Sequence, residues 1–219
     1  MMSRFDAVFY DFDGTLADSI PVILKCFHLA YESVFGHCDR TDDDFMYYIG
    51  RPLEDTFAMH GEEMMRTLTD AYLGFNEKML KEDAIDLFPG IEEDLGYIRS
   101  LGIKQGIMTS KRKVSCMTTV DLKGIGDIFD AFVFKEDSER HKPDPQPLEV
   151  AARKAGTVPS RILYVGDAVP DLLCARNAGA GFALVDWTKM PVDKGSLGKN
   201  EWLISSLKDI PCIINEWEL

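Results

Sequence analysis

The chain has 219 residues and a formal charge of −13, with 46% hydrophobic and 28% charged residues. This is a globular composition, and the length fits one domain carrying a large insertion. The acidity would repel phosphate polymers, which excludes a nucleic-acid partner, and no apolar run approaches the ~18–20 residues of a membrane helix.

In chain order, the N-terminal segment MMSRFDAVFYDFDG has no signal-peptide core, because Asp6 and Asp11 interrupt it. Residues 7–11 (AVFYD) form a short apolar run of strand-favouring residues that ends on an acid. Similar runs follow at 104–109 (KQGIMT), 131–134 (AFVF), 162–167 (ILYVGD) and 181–186 (GFALVD). Their apolar character is mostly continuous, as expected of strands covered on both faces. Helices are expected between the later runs. In 91–101, Ile91, Leu95, Ile98 and Leu101 recur at spacings of three and four. In 145–155, Asp144 can cap and Pro145 suits the first helical position. Strand alternating with helix predicts an α/β fold with a doubly wound parallel sheet.

The first connection breaks this rhythm. About 90 residues separate Asp11 from the run at 104, whereas a crossover helix needs only about a dozen. Residues 16–88 read as helical throughout and hold 6 basic against 15 acidic residues. They are expected to form an inserted helical unit that re-enters the main domain at Phe88-Pro89-Gly90. The five cysteines are odd in number, scattered, and lack C-x-x-C spacing. A disulfide framework or zinc site is therefore not expected, and a cytoplasmic location is.

Polar residues cluster at the predicted strand ends, where open parallel sheets bind ligands. The first strand runs into Asp11 and Asp13, the second into Thr109-Ser110, the fourth into Gly166-Asp167, and HKPDP (141–145) places Lys142 before a helix. Three carboxylates and a lysine gathered in one crevice are costly without a bound ion. Hard oxygen ligands suit Mg2+, which keeps water and substrate phosphate as partners. Taken singly, Asp before Gly is ordinary turn chemistry and Thr-Ser is an ordinary helix cap. Asp171, four residues after Asp167, could simply orient the following helix.

The order DFDGT, Thr-Ser, Lys-Pro, GDxxxD resembles the haloacid dehalogenase-like (HAD) hydrolase superfamily, over nearly the whole chain. DGTLADS, LFPGIEEDL, MTSKRK, HKPDPQPLEVA and YVGDAVPDLLCARNAG are similar to its phosphoglycolate phosphatase branch. The resemblance implies a Rossmann-like α/β catalytic core of residues 1–15 and 89–219, with residues 16–88 as an α-helical cap. It implies a phosphatase of a small phosphorylated metabolite with Mg2+ as cofactor. Asp11 is then the nucleophile, Asp13 the acid–base, Thr109 and Lys142 the groups that hold the phosphoryl, and Asp171 a supporting residue. Asp11, Asp167 and the carbonyl of Asp13 are the implied metal ligands. Gly14, Thr15, Ser110, Lys111 and, from the cap segment Ile49-Gly50-Arg51-Pro52-Leu53, Arg51 are implied to face substrate. Arg51 could alternatively pair with Glu54 or Asp55. Dehalogenase members lack the second aspartate, so Asp13 favours phosphoryl transfer. A phosphomutase of the β-phosphoglucomutase type would use the same pair of acids, and a non-catalytic binding protein on this fold would have no need of the whole set.

Overall fold

The apolar runs form the strands of a parallel sheet. The computed structural model describes residues 3–51 and 53–215. The strands are β1 (Ala7–Tyr10), β2 (Lys104–Met108), β3 (Ala131–Val133), β4 (Ile162–Gly166), β5 (Gly181–Val185) and β6 (Glu201–Ile204). Their order across the sheet is β3-β2-β1-β4-β5-β6, and every pairing is parallel. The doubly wound arrangement is therefore as expected, with one strand more than the five apolar runs. That strand, EWLI, begins on a charged residue and fully buries only Ile204, as suits a sheet edge.

The nine α-helices among the described residues are α1 (Ile20–Phe35), α2 (Asp42–Met46), α3 (Leu53–Phe57), α4 (Glu62–Lys81), α5 (Ile91–Ser100), α6 (Lys113–Leu122), α7 (Gln146–Ala155), α8 (Val169–Ala178) and α9 (Ile210–Asn215). Helix α7 starts one residue beyond Pro145, and Asp144 Oδ1 accepts from the backbone N–H of Gln146 at 2.9 Å.

Strand side chains alternate between two cores, as the period of two demands. Val8 and Tyr10 join Leu95 and Ile98 of α5 and Val120 of α6. Ala7 and Phe9 join Leu148 of α7 and Leu172 of α8 on the opposite face. Tyr10 is fully buried, yet its hydroxyl donates to Gln105 Oε1 at 2.8 Å, and Gln105 Nε2 donates to the Leu95 carbonyl at 3.1 Å. The polar end of a large core residue is thus paired, and the same relay fixes α5 on the sheet.

Helices α1–α4 make up the inserted segment. They pack round Phe27, which stacks on Phe45 at 5.0 Å between centroids and lies 4.8 Å from Tyr72. Its two stems run side by side: Asp18 N–H donates to Asp86 O at 2.8 Å and Phe88 N–H to Leu16 O at 3.0 Å. Consecutive strands step outward one way from β1 to β3 and the other way from β4 to β6. The switch point therefore falls between β1 and β4, where a ligand crevice forms at the strands' carboxyl ends.

Candidate active site

The first two acids owe their placement to a buried turn. Asp11 continues β1, its N–H donating to Val165 O at 2.8 Å, and the chain then folds over Phe12. Phe12 is fully buried, and its carbonyl accepts from the N–H groups of Leu16 and Ala17, each at 3.0 Å. An aromatic between two acids is explained: it anchors the turn while Asp11 and Asp13 project towards the crevice. Gly14 sits at φ +80°, and a Cβ there would overlap the carboxylate of Asp167. Both the left-handed backbone and the close approach demand glycine.

Beneath the crevice lies a buried charge cluster. Lys142 Nζ donates to Asp171 Oδ1 at 2.7 Å and lies 3.0 Å from Asp11 Oδ1. The latter contact is off the line of a directed hydrogen bond, and Asp11 Oδ1 finds no other partner among the described residues. Asp171 is saturated: Oδ1 also lies 2.9 Å from the Tyr164 hydroxyl, and Oδ2 accepts from Ala168 N–H at 3.1 Å. It holds Lys142 and caps α8. Asp167 is braced by threonines. Thr188 Oγ1 donates to its backbone carbonyl at 2.7 Å, and Thr15 Oγ1 reaches its Oδ1 at 3.5 Å.

Asp11, Asp167 and Asp171 each offer an oxygen within 4.8 Å of the others. Burial pushes the Asp11 carboxyl up to about 6, against the pull of Lys142, with Asp171 and Asp13 adding to the rise. Burial likewise holds Asp167 well above the usual carboxylate range, reinforced by Asp171 and Asp11. Burial opposes the ammonium of Lys142 too, but Asp11 and Asp171 overcome it and raise Lys142 above its ordinary value. Three carboxylates against one ammonium leave two negative charges, which a divalent cation would cancel. With the orphaned Asp11 oxygen and an all-oxygen donor set, these residues fit a hard dication.

Above the cluster lies a cavity of about 310 Å³ between the sheet edge and helices α1, α3 and α4. Asp11, Asp13, Thr109, Ser110, Lys111 and Arg51 all line it. Lys111 grips Asp13, its Nζ donating at 3.0 and 3.2 Å to the two carboxylate oxygens. Thr109 Oγ1 accepts from Lys111 N–H at 3.2 Å, which leaves its hydrogen to donate. The guanidinium of Arg51 stacks 4.1 Å from the ring centroid of Tyr47, while Glu54 pairs with Lys135 at 2.6 Å. Among the described residues Arg51 pairs with neither Glu54 nor Asp55, the expected alternatives, and makes this cation–π contact instead. Pro52 of the same segment lies outside the described residues.

The predicted set therefore separates into layers. Lys142, Asp167 and Asp171 lie below the cavity. Gly14 and Thr15 pack against Asp167, and Thr15 is fully buried. Sequence reasoning missed Tyr164, Thr188 and Lys135. Thr188 had one available signal, since it follows β5 and so belongs to the same carboxyl edge of the sheet.

This geometry, a doubly wound sheet with acids and a lysine at its switch point, is that of an α/β enzyme with its site at the carboxyl edge of the sheet. Residues 8–185 match the family described as haloacid dehalogenase-like hydrolase, and the chain belongs to that family. A Clostridium perfringens protein provisionally named pyrophosphatase PpaX is 32% identical, over 86% of this chain and 87% of the relative. The pyrophosphatase PpaX of Bacillus velezensis is 29% identical, over 94% and 95%. A solved structure from Bacteroides fragilis, provisionally assigned as a haloacid dehalogenase-like hydrolase, superposes with a TM-score of 0.84 at 27% identity and covers 94% of this chain and 100% of that one. Among the described residues, no helix is long and apolar enough to cross a membrane.

Proposed function

We propose that the protein is a magnesium-dependent phosphatase of a small phosphorylated compound, with residues 16–88 as a cap over a core of residues 1–15 and 89–219. The observation that carries this reading is the convergence of Asp11, Asp13 and Thr109 at one end of one cavity, with Lys142, 3.0 Å from Asp11, and Asp167 beneath it. Asp11 attacks phosphorus to form an aspartyl-phosphate, splitting one difficult step into two. Lys142, held by Asp171, offsets the charge of the nucleophile as it nears the phosphoryl group. Thr109 donates its free hydrogen to a phosphoryl oxygen. Asp13, clamped by Lys111, gives a proton to the leaving oxygen and later takes one from the attacking water. Asp11, Asp167 and the backbone carbonyl of Asp13 would hold Mg2+, which supplies charge neutralisation at the phosphoryl oxygens. The names of the curated relatives make inorganic pyrophosphate the first substrate to try.

The test is phosphate release from pyrophosphate and a panel of small phosphomonoesters with Mg2+ present. The expected result is turnover that EDTA abolishes and added Mg2+ restores. Release that is unaffected by chelation would remove the metal from the scheme. A companion prediction concerns Gly14→Ala. The left-handed backbone costs a non-glycine residue roughly 1–2 kcal/mol, and the new methyl would push Asp167 aside. The expected outcome is a lower thermal midpoint together with Mg2+ affinity weakened about tenfold or more, read by titration calorimetry. Wild-type affinity in this variant would show that Asp167 need not sit where it does.

A further inference from the structure

The chain leaving β5 crosses the carboxyl edge of the sheet, and two successive side chains on it reach the loops of the candidate site. Trp187 Nε1 donates to the backbone carbonyl of Thr15 at 3.2 Å. Thr188 Oγ1 donates to the backbone carbonyl of Asp167 at 2.7 Å and lies 3.3 Å from its Oδ2. Fully buried Thr15 closes the circuit, with its Oγ1 3.5 Å from Asp167 Oδ1. The loops after β1, β4 and β5 are thus joined in one ring of contacts that reaches both carboxylate oxygens of Asp167. The Thr188 hydroxyl also accepts from Met190 N–H at 2.9 Å, which leaves its single hydrogen for Asp167.

Asp167 needs such a hold. It is buried, and oxygens of Asp11 and Asp171 lie within 4.8 Å of its own. Lys142, the cation of the cluster, pairs with those two acids instead. Asp167 pairs with no cation among the described residues, and its side-chain partners are two neutral hydroxyls. Like charges this close repel, so an unbraced carboxylate would swing away from Asp11. The segment that carries the brace is itself anchored outside the site. The Trp187 ring lies against Phe88, 6.2 Å between centroids, and Lys189 Nζ donates to Asp18 Oδ1 at 2.7 Å. Phe88 and Asp18 belong to the two stems of the inserted segment. A turn that merely closed β5 would need the Met190 bond but not the contacts to Thr15 and Asp167.

Resting on the magnesium-dependent reading above, we propose that Trp187 and Thr188 are positioning residues for the metal. Thr188 holds the Asp167 carboxylate beside Asp11, and Trp187 holds the Thr15 carbonyl and with it the turn that carries Asp13. Neither side chain lines the cavity. Both act through Asp167 and the Asp13 backbone, and groups that orient a metal's ligands are worth about 10–100-fold in its affinity.

The experiment titrates substrate-free protein with Mg2+ in a calorimeter, in wild type, Thr188→Val, Thr188→Ser, Trp187→Phe and Lys189→Met. Thr188→Val should weaken Mg2+ binding about tenfold or more, and Thr188→Ser, which restores the hydroxyl, should bind like wild type. Trp187→Phe keeps a ring against Phe88 but loses the N–H donor. It should weaken binding about two- to tenfold, the scale of one hydrogen bond. Lys189→Met breaks only an exposed ion pair and should bind like wild type. Wild-type affinity in both Thr188→Val and Trp187→Phe would overturn the proposal and leave the metal reading standing. So would a loss in Thr188→Ser or Lys189→Met as large as that in Thr188→Val, since the hydroxyl would then not be its cause. If Thr188→Val does not fold, wild-type affinity in Trp187→Phe alone would overturn it. No Mg2+ binding by wild type would overturn the metal reading and this proposal together.

Discussion

Asp11→Asn should eliminate turnover while leaving the protein folded. Among the described residues, Asp11 is the one carboxylate that is buried, lines the cavity and retains an oxygen without a directed partner. An amide cannot form the acyl phosphate, so kcat should drop on the order of 10⁴-fold or more, the scale at which loss of an attacking group is felt. Stability should not follow activity. The native carboxylate is desolvated, with its pKa pushed up to about 6, and the neutral isostere relieves that strain. Lys142 keeps Asp171 at 2.7 Å. The expected result is a thermal midpoint, measured without divalent metal, no lower than wild type. Full activity in this variant would remove Asp11 from the attacking role.

Lys142→Met should damage both activity and fold. The ammonium is the one positive charge within the buried cluster, and its loss leaves Asp11 and Asp171 facing each other without it. Breaking a buried pair by removing one partner typically destabilises by about 3–5 kcal/mol. For a chain of this size that corresponds to a fall in midpoint of roughly 6–20 °C. The tyrosine hydroxyl and Ala168 N–H still reach Asp171, so the lower half of that range is expected. Turnover should fall about 10²–10³-fold from loss of electrostatic stabilisation at the phosphoryl group. Calorimetry and phosphate release on the same preparation would check both numbers. A variant as stable as wild type would mean that the carboxylates take up protons at no cost, against the charge balance argued here.

What the sequence made legible followed from local rules. A continuous apolar run ending in D-x-D-G specifies a buried strand, a turn and two acids on one side, and Ala7–Tyr10 with Phe12 behaves that way. The parallel sheet could be read because β1, β2, β4 and β5 are buried on both faces along nearly their whole length. β6 escaped, since an edge strand that buries mainly Ile204 lacks that signature. Lys142 and Asp171 are 29 residues apart, and only the order of motifs, not any periodicity, brought them together. Tyr164 was invisible because its role is set by what a strand's side chain meets across the sheet and on the helix above it. Thr56 and Asn76, on α3 and α4, are buried with side-chain atoms that find no hydrogen-bond partner among the described residues. An amphipathic helix pattern shows that a residue faces inward, but not whether its polar atom will find a partner there.

In the proposed mechanism the phosphoryl group passes through Asp11. The direct measurement is to quench wild-type enzyme during turnover of pyrophosphate with Mg2+, reduce with borohydride, and map the modified residue by peptide mass spectrometry. An aspartyl-phosphate is reduced to homoserine, and the account predicts homoserine at position 11. Homoserine at another position, or an unmodified Asp11 throughout normal turnover, would contradict it.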